Sequence, residues 1–545
     1  MKINSLLNEK LVFRILVVLL TIVSIYAFYV FYTNGIGLAY NDARSHLNIG
    51  RRVVEGLKPG FAQLGSVWLP LPHLLMVPTI WSDFMWHTGL AGAIVSMISY
   101  VAVSICIYLI LRELGAGLLG RVIGVVVFAA NLNTLYLQST AMTELLLLAT
   151  MTTGAYEFLL WYKTYDNTRL IKASFWIMLA SLVRYDGWFL MLWAAGLICI
   201  RIFFEEEFET NKFKQPIKYY LRKLKTKFNE IEGKLVLFLT LASFGIFLWV
   251  LWNLVIFKDP LYFILGPFSA KAQQDQLEKA GVLQTKHNIL LSLKFYWYAT
   301  VYNSNSYALL LGIGGLIISF FDKKLKTVVK IGILVLLSPF IFNVIALFFG
   351  HSVLFIAGLS GTSWFNIRYG IMMLPSIAVF AGLFIDRLKH LRIPLVGTLL
   401  FVLFISLYSG DAVTIDDARF GSSQKNVSEV SSWLYEKAGN KKGYVLISAA
   451  SHDAIVFSSG LPMKRFIHEG TGLYWKSATA IPDRWARWII MRTYDDNDLT
   501  WKAVSRTKGF SKYTKVKSFP FADIYELKPE YVKNLNLEER FENQK

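Results

Sequence analysis

Residues 11–33 read LVFRILVVLLTIVSIYAFYVFYT, a stretch that carries a single charge and is long enough to cross a bilayer as one helix. The hydrocarbon layer needs about 20 apolar residues, because a helix rises about 1.5 Å per residue across roughly 30 Å. Comparable apolar runs lie at residues 89–111, 119–137, 141–162, 171–204, 235–257, 304–321, 328–349, 368–386 and 393–410. The run at 171–204 has a polar centre, so it predicts two short helices. The sequence therefore predicts a polytopic α-helical membrane protein with about 11 transmembrane helices.

The composition agrees with a membrane protein and excludes nucleic acid as a partner. Of the 545 residues, 55% are hydrophobic and 17% are charged, and the mean hydropathy is +0.45. The net charge of +19 comes mostly from short loops between apolar runs, where Lys and Arg fix the topology and meet anionic membrane lipids. Both cysteines, Cys106 and Cys199, lie inside apolar runs, so neither a disulfide framework nor a thiolate metal site is indicated.

From residue 412 the composition becomes that of a soluble domain. Buried strands are predicted at residues 444–450, 464–468 and 487–492, and helices at residues 452–460 and 498–506. The chain is therefore expected to consist of a transmembrane domain, residues 1–411, and a small α/β domain, residues 412–545.

The distribution of basic loops places the N-terminus in the cytoplasm. An odd number of spans then places the C-terminal domain on the extracytoplasmic side, together with the long outer loops at residues 34–88 and 258–303. The Lys- and Asn-rich composition, without a readable targeting signal, is typical of a multi-pass protein of a prokaryotic plasma membrane.

The first outer loop begins with polar residues directly after the first span. Asp42, Arg44 and His46 supply an acid, a base and a titratable imidazole at the membrane surface. In a helix, Asp42 and His46 would share one face, because residues four apart are neighbours. An alternative is that Asp42 only caps a helix, while Arg51 and Arg52 are solvated or face lipid.

Three further sites place charged residues at the ends of apolar runs, where an ionisable group is costly without a partner or a wet cavity. Glu144 falls in the first turn of a span, and the alternative is that it only meets a helix dipole. Arg184 and Asp186 lie at the tip between two short spans, where they could simply pair with each other. Arg368 starts a later span and suits phosphate binding, with an interfacial, snorkelling arginine as the alternative.

The second outer loop contributes one candidate cation. Lys271 lies in a polar, Gln-rich stretch between aromatic segments, which suits either a loop that closes over a substrate or an interfacial anchor helix. The histidines outside the spans are scattered, and no HExxH or paired-His spacing is present in the sequence, so no zinc site is expected.

These motifs together resemble the GT-C superfamily of integral membrane glycosyltransferases. Within this superfamily, the sequence most resembles the family 39-like members, which are related to protein O-mannosyltransferases and lipid A aminoarabinose transferases. The resemblance covers about residues 11–410. It rests on Asn41-Asp42, Met142-Thr143-Glu144, Arg184-Tyr185-Asp186-Gly187-Trp188 and Asn366-Ile367-Arg368-Tyr369-Gly370. Members of the family often carry an acidic pair after the first span, whereas Asn41 here leaves Asp42 as the sole carboxylate.

The resemblance implies inverting transfer of a sugar from a polyprenyl or dolichyl phosphate to a protein, glycan or lipid acceptor. Asp42 would act as general base with His46 orienting it, and Arg368 would stabilise the phosphate leaving group. No cofactor is expected: a divalent cation is compatible with this chemistry, but fixed cations can neutralise a single phosphate. The candidate catalytic residues are Asp42, His46 and Glu144, and the candidate substrate-binding residues are Arg44, Arg184, Asp186, Lys271 and Arg368.

Two other classes of protein remain as alternatives. A transporter or flippase for a lipid-linked sugar also needs many spans and buried charges, but typically shows inverted repeats and paired helix breaks, which this sequence lacks. A structural subunit that recruits partners through residues 412–545 would tolerate changes at Asp42.

Overall fold

A computed structural model of the protein describes residues 2–210, 215–266, 269–421 and 427–537. The chain folds into two compact units. The first unit comprises Met1–Gly37, Ser66–Pro72 and Ala93–Ser422, and the second comprises Leu38–Gly65, His73–Gly92 and Ser423–Lys545.

Within the described residues, the first unit is built of helices and loops, with two isolated β-bridges, Phe355–Phe365 and Ala357–Gly361. Its longer α-helices are Lys2–Thr33, Leu90–Glu113, Leu118–Ala129, Glu144–Thr164, Asn167–Ser181, Asp186–Phe203, Ile217–Ala242, Phe244–Phe257, Ala270–Lys279, Ile289–Ser304, Ser306–Phe321, Ser338–Phe348, Leu374–Arg387, Arg392–Ser409 and Val413–Phe420. Shorter helical segments are Leu132–Leu137, Glu205–Thr210, Tyr262–Leu265, Thr327–Gly332, Ile333–Leu337, Ile367–Met373 and Lys389–Leu391.

Among the described residues, 7 helices are long and apolar enough to cross a membrane, or up to 9 if each of two bent pairs is one span. The expected count of about 11 also included two shorter apolar segments. One of these, residues 119–137, is divided into Leu118–Ala129 and Leu132–Leu137, and the other is Asn167–Ser181. The prediction of a polytopic α-helical membrane protein is therefore confirmed.

Two local features explain where helices break. The Ile289–Ser304 and Ser306–Phe321 helices meet at 111°, and between them Asn305 adopts φ +62° and caps the second helix by accepting a hydrogen bond from Ala308 N. Asparagine tolerates this left-handed backbone better than most residues. The first of these helices occupies the end of the predicted outer loop 258–303, because its sequence, ILLSLKFYWYATVYNS, is largely apolar.

Small residues allow the spans to pack closely. A Cβ atom added at Gly315 would lie 1.8 Å from the carbonyl oxygen of Phe380, and one added at Gly120 would lie 2.8 Å from that of Gly382. Helix backbones therefore meet directly at these crossings, as is common where lipid supplies no hydrophobic driving force between helices.

The second unit contains a five-stranded mixed sheet. Its strands are β1 (Tyr444–Ile447), β2 (Phe466–Ile467), β3 (Ala486–Met491), β4 (Tyr513–Phe519) and β5 (Ala522–Leu527), in the order β2-β1-β3-β5-β4. Strands β1, β2 and β3 are parallel, whereas β5 pairs antiparallel with β3 and with β4. Buried side chains of the sheet and its helices form the core, among them Leu446, Ile467, Ile489 and Val504.

Helices cover this sheet, and the segment after the first span adds further helices to the same unit. The helices of the C-terminal segment are Ser428–Ala438, Ala449–Ser458, Leu473–Ala480, Pro482–Trp485 and Leu499–Val504. The helices of the earlier segment are Asn41–Val54, Phe61–Leu64, Leu71–Ile80 and Asp83–His87. The three predicted strands and two predicted helices are confirmed, whereas the β4–β5 hairpin was not predicted.

Candidate functional site

Four of the residues selected from the sequence lie together in the first unit. Glu144, Arg184, Asp186 and Arg368 are joined by ion pairs, although they come from three separate parts of the chain. Glu144 and Asp186 are the first residues of helices, Arg368 is the second residue of a 3₁₀ segment, and Arg184 lies two residues before Asp186.

Glu144 lies at the centre of the group. It is the first residue of the Glu144–Thr164 helix and is fully buried. Its Oε1 atom accepts a hydrogen bond from Arg368 Nε at 3.0 Å and lies 3.5 Å from Arg184 Nη1. The helix dipole favours an anion at this end, but here two guanidinium groups also compensate the charge.

Arg184 and Asp186 belong to the predicted turn between two short helices. Arg184 Nε lies 3.3 Å from Asp186 Oδ2, and Asp186 begins the second helix, Asp186–Phe203. The next residue must be glycine, because a Cβ atom on Gly187 would lie 2.3 Å from the carbonyl carbon of Ala180. The close approach of the two helices therefore fixes the Arg184 and Asp186 side chains at the tip.

Arg368 is presented by a short 3₁₀ segment, Ile367–Met373, that leads into the Leu374–Arg387 helix. Asn366 precedes this segment in a left-handed conformation, with φ +55°, and donates a hydrogen bond to Val353 O at 3.0 Å. Asn303 donates to Ile367 O at 2.7 Å from the other side. These contacts hold the Arg368 backbone on both sides.

Asp417 is a fifth charged residue in this group, and it was not selected from the sequence. It is fully buried, and its Oδ2 atom lies 3.6 Å from Arg368 Nη1. Asp417 lies on the Val413–Phe420 helix, which is anchored by Thr414: the backbone N and Oγ1 of Thr414 donate to Asn133 Oδ1 at 3.0 and 2.8 Å.

An aromatic ring lies beside both arginines. The guanidinium carbons of Arg184 and Arg368 lie 4.7 and 5.5 Å from the centre of the Tyr369 ring. The main chain of Tyr369 is also fixed, because its carbonyl oxygen accepts a hydrogen bond from the Tyr296 hydroxyl at 3.3 Å. The ring thus adds cation–π attraction and limits the movement of both cations.

The five charged side chains differ in access to solvent. Arg184 keeps 22% of its side chain exposed, whereas Arg368 keeps 5% and the three carboxylate side chains 3% or less. Within the described part of the chain, Glu144 Oε2 and Asp186 Oδ1 are buried and accept no hydrogen bond. Arg184 is therefore the most accessible cation of the group, and Glu144 and Asp186 each have an oxygen atom that can accept a hydrogen bond from a polar ligand.

The described residues contain no group of three or more His, Cys, Asp and Glu side chains arranged to hold a metal ion. Lys271 belongs to the first unit as well. It is exposed on the Ala270–Lys279 helix and forms no ion pair with a described residue. Residues 267 and 268 of the same predicted loop lie outside the described residues.

The second unit carries the other three selected residues. Asp42, Arg44 and His46 lie on a helix, Asn41–Val54, as the argument from spacing required. His46 is buried and its Nδ1 lies 2.9 Å from His73 Nε2, while Arg44 Nε donates to Leu38 O at 2.8 Å. The alternative interpretation of Asp42 as the capping residue is wrong, because Tyr40 occupies that position and Asp42 lies inside the first turn.

The same helix also corrects the interpretation of its two arginines. Neither Arg51 nor Arg52 is solvated or lipid-facing. Arg51 is paired with Glu55 and Asp83, and Arg52 with the largely buried Asp453. Both side chains therefore hold the second unit together.

Comparisons with known proteins concern the fold. No protein-family model matches the sequence, and no curated protein matches it. Among solved structures, ArnT from Cupriavidus metallidurans bound to undecaprenyl phosphate is 11% identical with a TM-score of 0.53, over 93% of this chain and 97% of ArnT. The archaeal oligosaccharyltransferase AglB from Archaeoglobus fulgidus, in complex with an inhibitory peptide and a dolichol-phosphate, is 12% identical with a TM-score of 0.50. That match covers 88% of this chain and 69% of AglB. The chain therefore has the membrane fold shared by ArnT and AglB, which is the GT-C-like fold expected from the sequence.

Proposed function

We propose that this protein is a membrane glycosyltransferase that transfers a sugar from a polyprenyl-phosphate-linked donor to an acceptor. The observation that carries the proposal is the convergence of Arg184 and Arg368 on the buried Glu144. Two structures of the same fold, ArnT and AglB, hold undecaprenyl phosphate and dolichol-phosphate. A lipid phosphate is the ligand for which two arginines at a membrane site are suited.

The arginines account for departure of the lipid phosphate. When the bond between the sugar and the phosphate breaks, negative charge develops on the phosphate oxygen. A fixed guanidinium stabilises that charge without reorganising solvent. Arg184 is the more exposed of the two cations and would contact the phosphate first. Arg368 is more deeply buried and would add its positive charge from the interior of the site. Lys271 is proposed as a further phosphate contact.

The carboxylates would bind hydroxyl groups. Glu144 Oε2 and Asp186 Oδ1 accept no hydrogen bond from a described residue, and a buried acceptor of this kind is costly when it stays unpaired. A sugar hydroxyl can donate to such an oxygen. These two atoms are thus suited to orient the donor sugar or the acceptor.

The acceptor needs a general base, and we assign this role to Asp42 with His46 as its orienting partner. Arg44 is assigned to substrate binding. A single displacement by the deprotonated acceptor would invert the anomeric carbon. The reaction is assigned to the extracytoplasmic face of a prokaryotic plasma membrane, with a protein, glycan or lipid as acceptor.

The test uses the full chain in lipid nanodiscs and undecaprenyl phosphate as the probe. Arg368→Gln should weaken binding at least tenfold in native mass spectrometry. Arg387→Gln is the matched control, because Arg387 lies at the far end of the adjoining helix and pairs with Asp322 and Asp386, each at 2.7 Å. The control should bind the lipid as wild type does.

A second measurement separates transfer from transport. A panel of polyprenyl-phosphate monosaccharides is supplied to proteoliposomes together with an acceptor-containing membrane extract. Release of free polyprenyl phosphate with sugar bound to an acceptor supports the enzyme. Movement of the intact donor between leaflets without its cleavage would support a flippase, and unchanged lipid binding by the Arg368 variant would refute the proposed site.

A further inference from the structure

A largely buried carboxylate of the C-terminal segment receives its hydrogen bonds from one helix of the first outer loop. Only 10% of the Asp453 side chain is exposed. Its Oδ1 atom accepts a hydrogen bond from Asn48 Nδ2 at 2.9 Å and forms an ion pair with Arg52. The Ser45 hydroxyl is a further hydrogen-bond partner of the same carboxylate. All three partners belong to the Asn41–Val54 helix.

These three partners lie on one side of their helix. They follow one another at spacings of three and four residues, which are neighbouring positions on a helix surface. Asp42 precedes Ser45 by three residues, so it lies on the same side, in the first turn of the helix. The Asp453 carboxylate therefore fixes the rotation of the helix from the side that carries Asp42.

Asn48 ties the two segments together at a fully buried position. Its Nδ2 atom donates to the main-chain oxygen of Asp453 at 2.8 Å as well as to the side chain. Its Oδ1 atom accepts a hydrogen bond from Trp86 Nε1 at 3.3 Å. The Trp86 ring packs edge-on against Phe457, with 5.9 Å between ring centres, and Phe457 lies one helical turn after Asp453. Directional polar contacts and an aromatic contact thus join the two helices.

Asp453 is itself held in place by a second buried carboxylate. The residue before it, His452, interrupts the Ala449–Ser458 helix with φ −135° and ψ 24°. His452 Nε2 lies 2.8 Å from Asp498 Oδ2, and both side chains are at most 1% exposed. Asp498 also accepts hydrogen bonds from three main-chain N–H groups. The His452 side chain is therefore fixed, and with it the interruption that places Asp453.

Stability alone is a weak reason for the ion pair between Asp453 and Arg52. Burial of two charges costs desolvation free energy, and an apolar pair of similar volume is often equally stable. Charged hydrogen bonds supply a defined orientation instead. The helix whose orientation they define is the one that carries Asp42 and His46.

We propose that Asp453 is a positioning residue for sugar transfer, which holds the Asn41–Val54 helix so that Asp42 reaches the acceptor hydroxyl. This role rests on the proposed function, in which Asp42 is the general base. A general base must lie within hydrogen-bond distance of the proton that it removes. The C-terminal segment then contributes to the reaction without touching the substrate.

Amide exchange in the full chain, in lipid nanodiscs, measures the positioning without any substrate. In Asp453→Asn, backbone amides of residues 41–54 should exchange about tenfold faster than in the wild-type protein, because a buried acceptor is lost. Asp523→Asn is the matched control. Asp523 belongs to the same unit, its side chain is 12% exposed, and it pairs with Lys515 at 3.0 Å. Exchange of residues 41–54 should be unchanged in the control.

Transfer assays with the panel of polyprenyl-phosphate monosaccharides test the link to Asp42. Asp453→Asn should lower kcat about tenfold to a hundredfold and leave KM for the donor unchanged. When Asp453→Asn is added to Asp42→Asn, no further loss is expected, because the group that it positions is already absent. A merely structural defect would lower transfer by the same factor with and without Asp42.

Faster exchange in residues 41–54, with a loss of transfer only where Asp42 is present, supports the positioning role. Unchanged exchange, or an equal loss with and without Asp42, overturns it. Faster exchange with normal transfer also overturns it, and this result would show in addition that Asp42 is not the base of the proposed function. Should Asp453→Asn fail to fold, Ser45→Ala gives the same test, since it removes one donor and leaves Arg52 paired.

Discussion

Arg368 donates a hydrogen bond from Nε to Oε1 of Glu144 over 3.0 Å, although 224 positions separate the two residues in the sequence. Both side chains are at least 95% buried, so the pair has little screening by water. Removing one partner of such a pair leaves a buried charge without compensation, which costs far more than the pair contributes as a whole.

We therefore expect Glu144→Ala to destabilise the protein by about 3–5 kcal/mol, whereas Glu144→Gln should cost less because it keeps an acceptor atom. The measurement is the free energy of unfolding in mixed micelles of sodium dodecyl sulfate and dodecyl maltoside. Glu157→Ala is the control: Glu157 pairs with Arg169 at 2.9 Å, but the Arg169 side chain is 37% exposed. Loss of that pair should cost about 1 kcal/mol or less. Equal losses in both variants would contradict a special role for the Glu144 site.

Asp417 is expected to position Arg368 without touching the substrate. Asp417→Asn removes one negative charge from the five charged side chains around Glu144. Undecaprenyl phosphate should therefore bind at least as tightly as it does to the wild-type protein. The transfer rate should nevertheless fall about tenfold to a hundredfold, because the Arg368 guanidinium is held less firmly. Asp416→Asn is the matched control on the same helix, since Asp416 is half-buried and Asp417 fully buried. Weaker lipid binding together with lower thermal stability would point to a structural role instead.

Asp42 is expected to act in the chemical step. A general base contributes about 10²–10⁴ to a rate, so Asp42→Asn should reduce transfer by that factor while binding of the lipid-linked donor is retained. Asp83→Asn serves as the control, because Asp83 belongs to the same unit and its side chain is 77% exposed in a pair with Arg51. Transfer should be unchanged in the control. Retained transfer in the Asp42 variant would remove this residue from the mechanism.

Much of the candidate site could be predicted because charges at the ends of apolar runs are conspicuous. Glu144, Arg184, Asp186 and Arg368 each interrupt or begin a hydrophobic stretch, where the cost of an ionisable group demands a reason. Asp417 could not be found in this way. It follows the last span in a polar segment that reads as the start of a soluble domain, and only its position directly after the span could have drawn attention to it.

The fold was predictable to a similar extent. Strands β1 and β3 contain continuous apolar runs, which identify buried strands in the sequence. Strand β4 does not, because it lies at the sheet edge and reads YTKVKSF, with Lys515 and Lys517 exposed. Lysine on an edge strand discourages pairing with other molecules, and it also removes the apolar pattern by which a strand is recognised.

The second unit should become more stable on mild acidification through Asp453. Burial raises the pKa of Asp453 from 3.8 to about 6, and the nearby Glu469 adds to this increase. Arg52, Asn48 and Ser45 favour the ionised carboxylate and therefore lower the pKa, but by less. The folded protein then holds the proton more tightly than the unfolded chain. The resulting stabilisation is complete below pH 3.8, is lost as the pH rises through about 6, and amounts to about 3 kcal/mol at most.

Comparison with Asp453→Asn isolates this contribution. Burial lowers the pKa of His468 well below 6.5, so His468 destabilises the unit on acidification, but it does so equally in both proteins. When the pH is lowered from 7.5 to 5, we expect backbone amide exchange in strand β1 to slow more in the wild-type protein than in the variant. The exchange rates are corrected for the pH dependence of the intrinsic exchange rate. Identical pH dependence would show that Asp453 stays ionised.

Gly370 is expected to be essential for placing Arg368. A Cβ atom at this position would lie 2.1 Å from Ala299 O and 2.8 Å from Asn303 Nδ2, and Asn303 also donates to Ile367 O, next to Arg368. The 3₁₀ segment must therefore shift in Gly370→Ala, at a cost of about 1–3 kcal/mol or more. Since Arg368 lies on the same segment, lipid binding and transfer should both fall.

Gly397→Ala is the control for this prediction. Gly397 lies within a helix, and no heavy atom beyond its own helix backbone is within 4 Å of the added Cβ atom. Alanine at this position should therefore be neutral or stabilising. Thermal unfolding and undecaprenyl phosphate binding, measured on both variants, should separate them, and a Gly370 variant that binds the lipid normally would show that the Arg368 position does not depend on this contact.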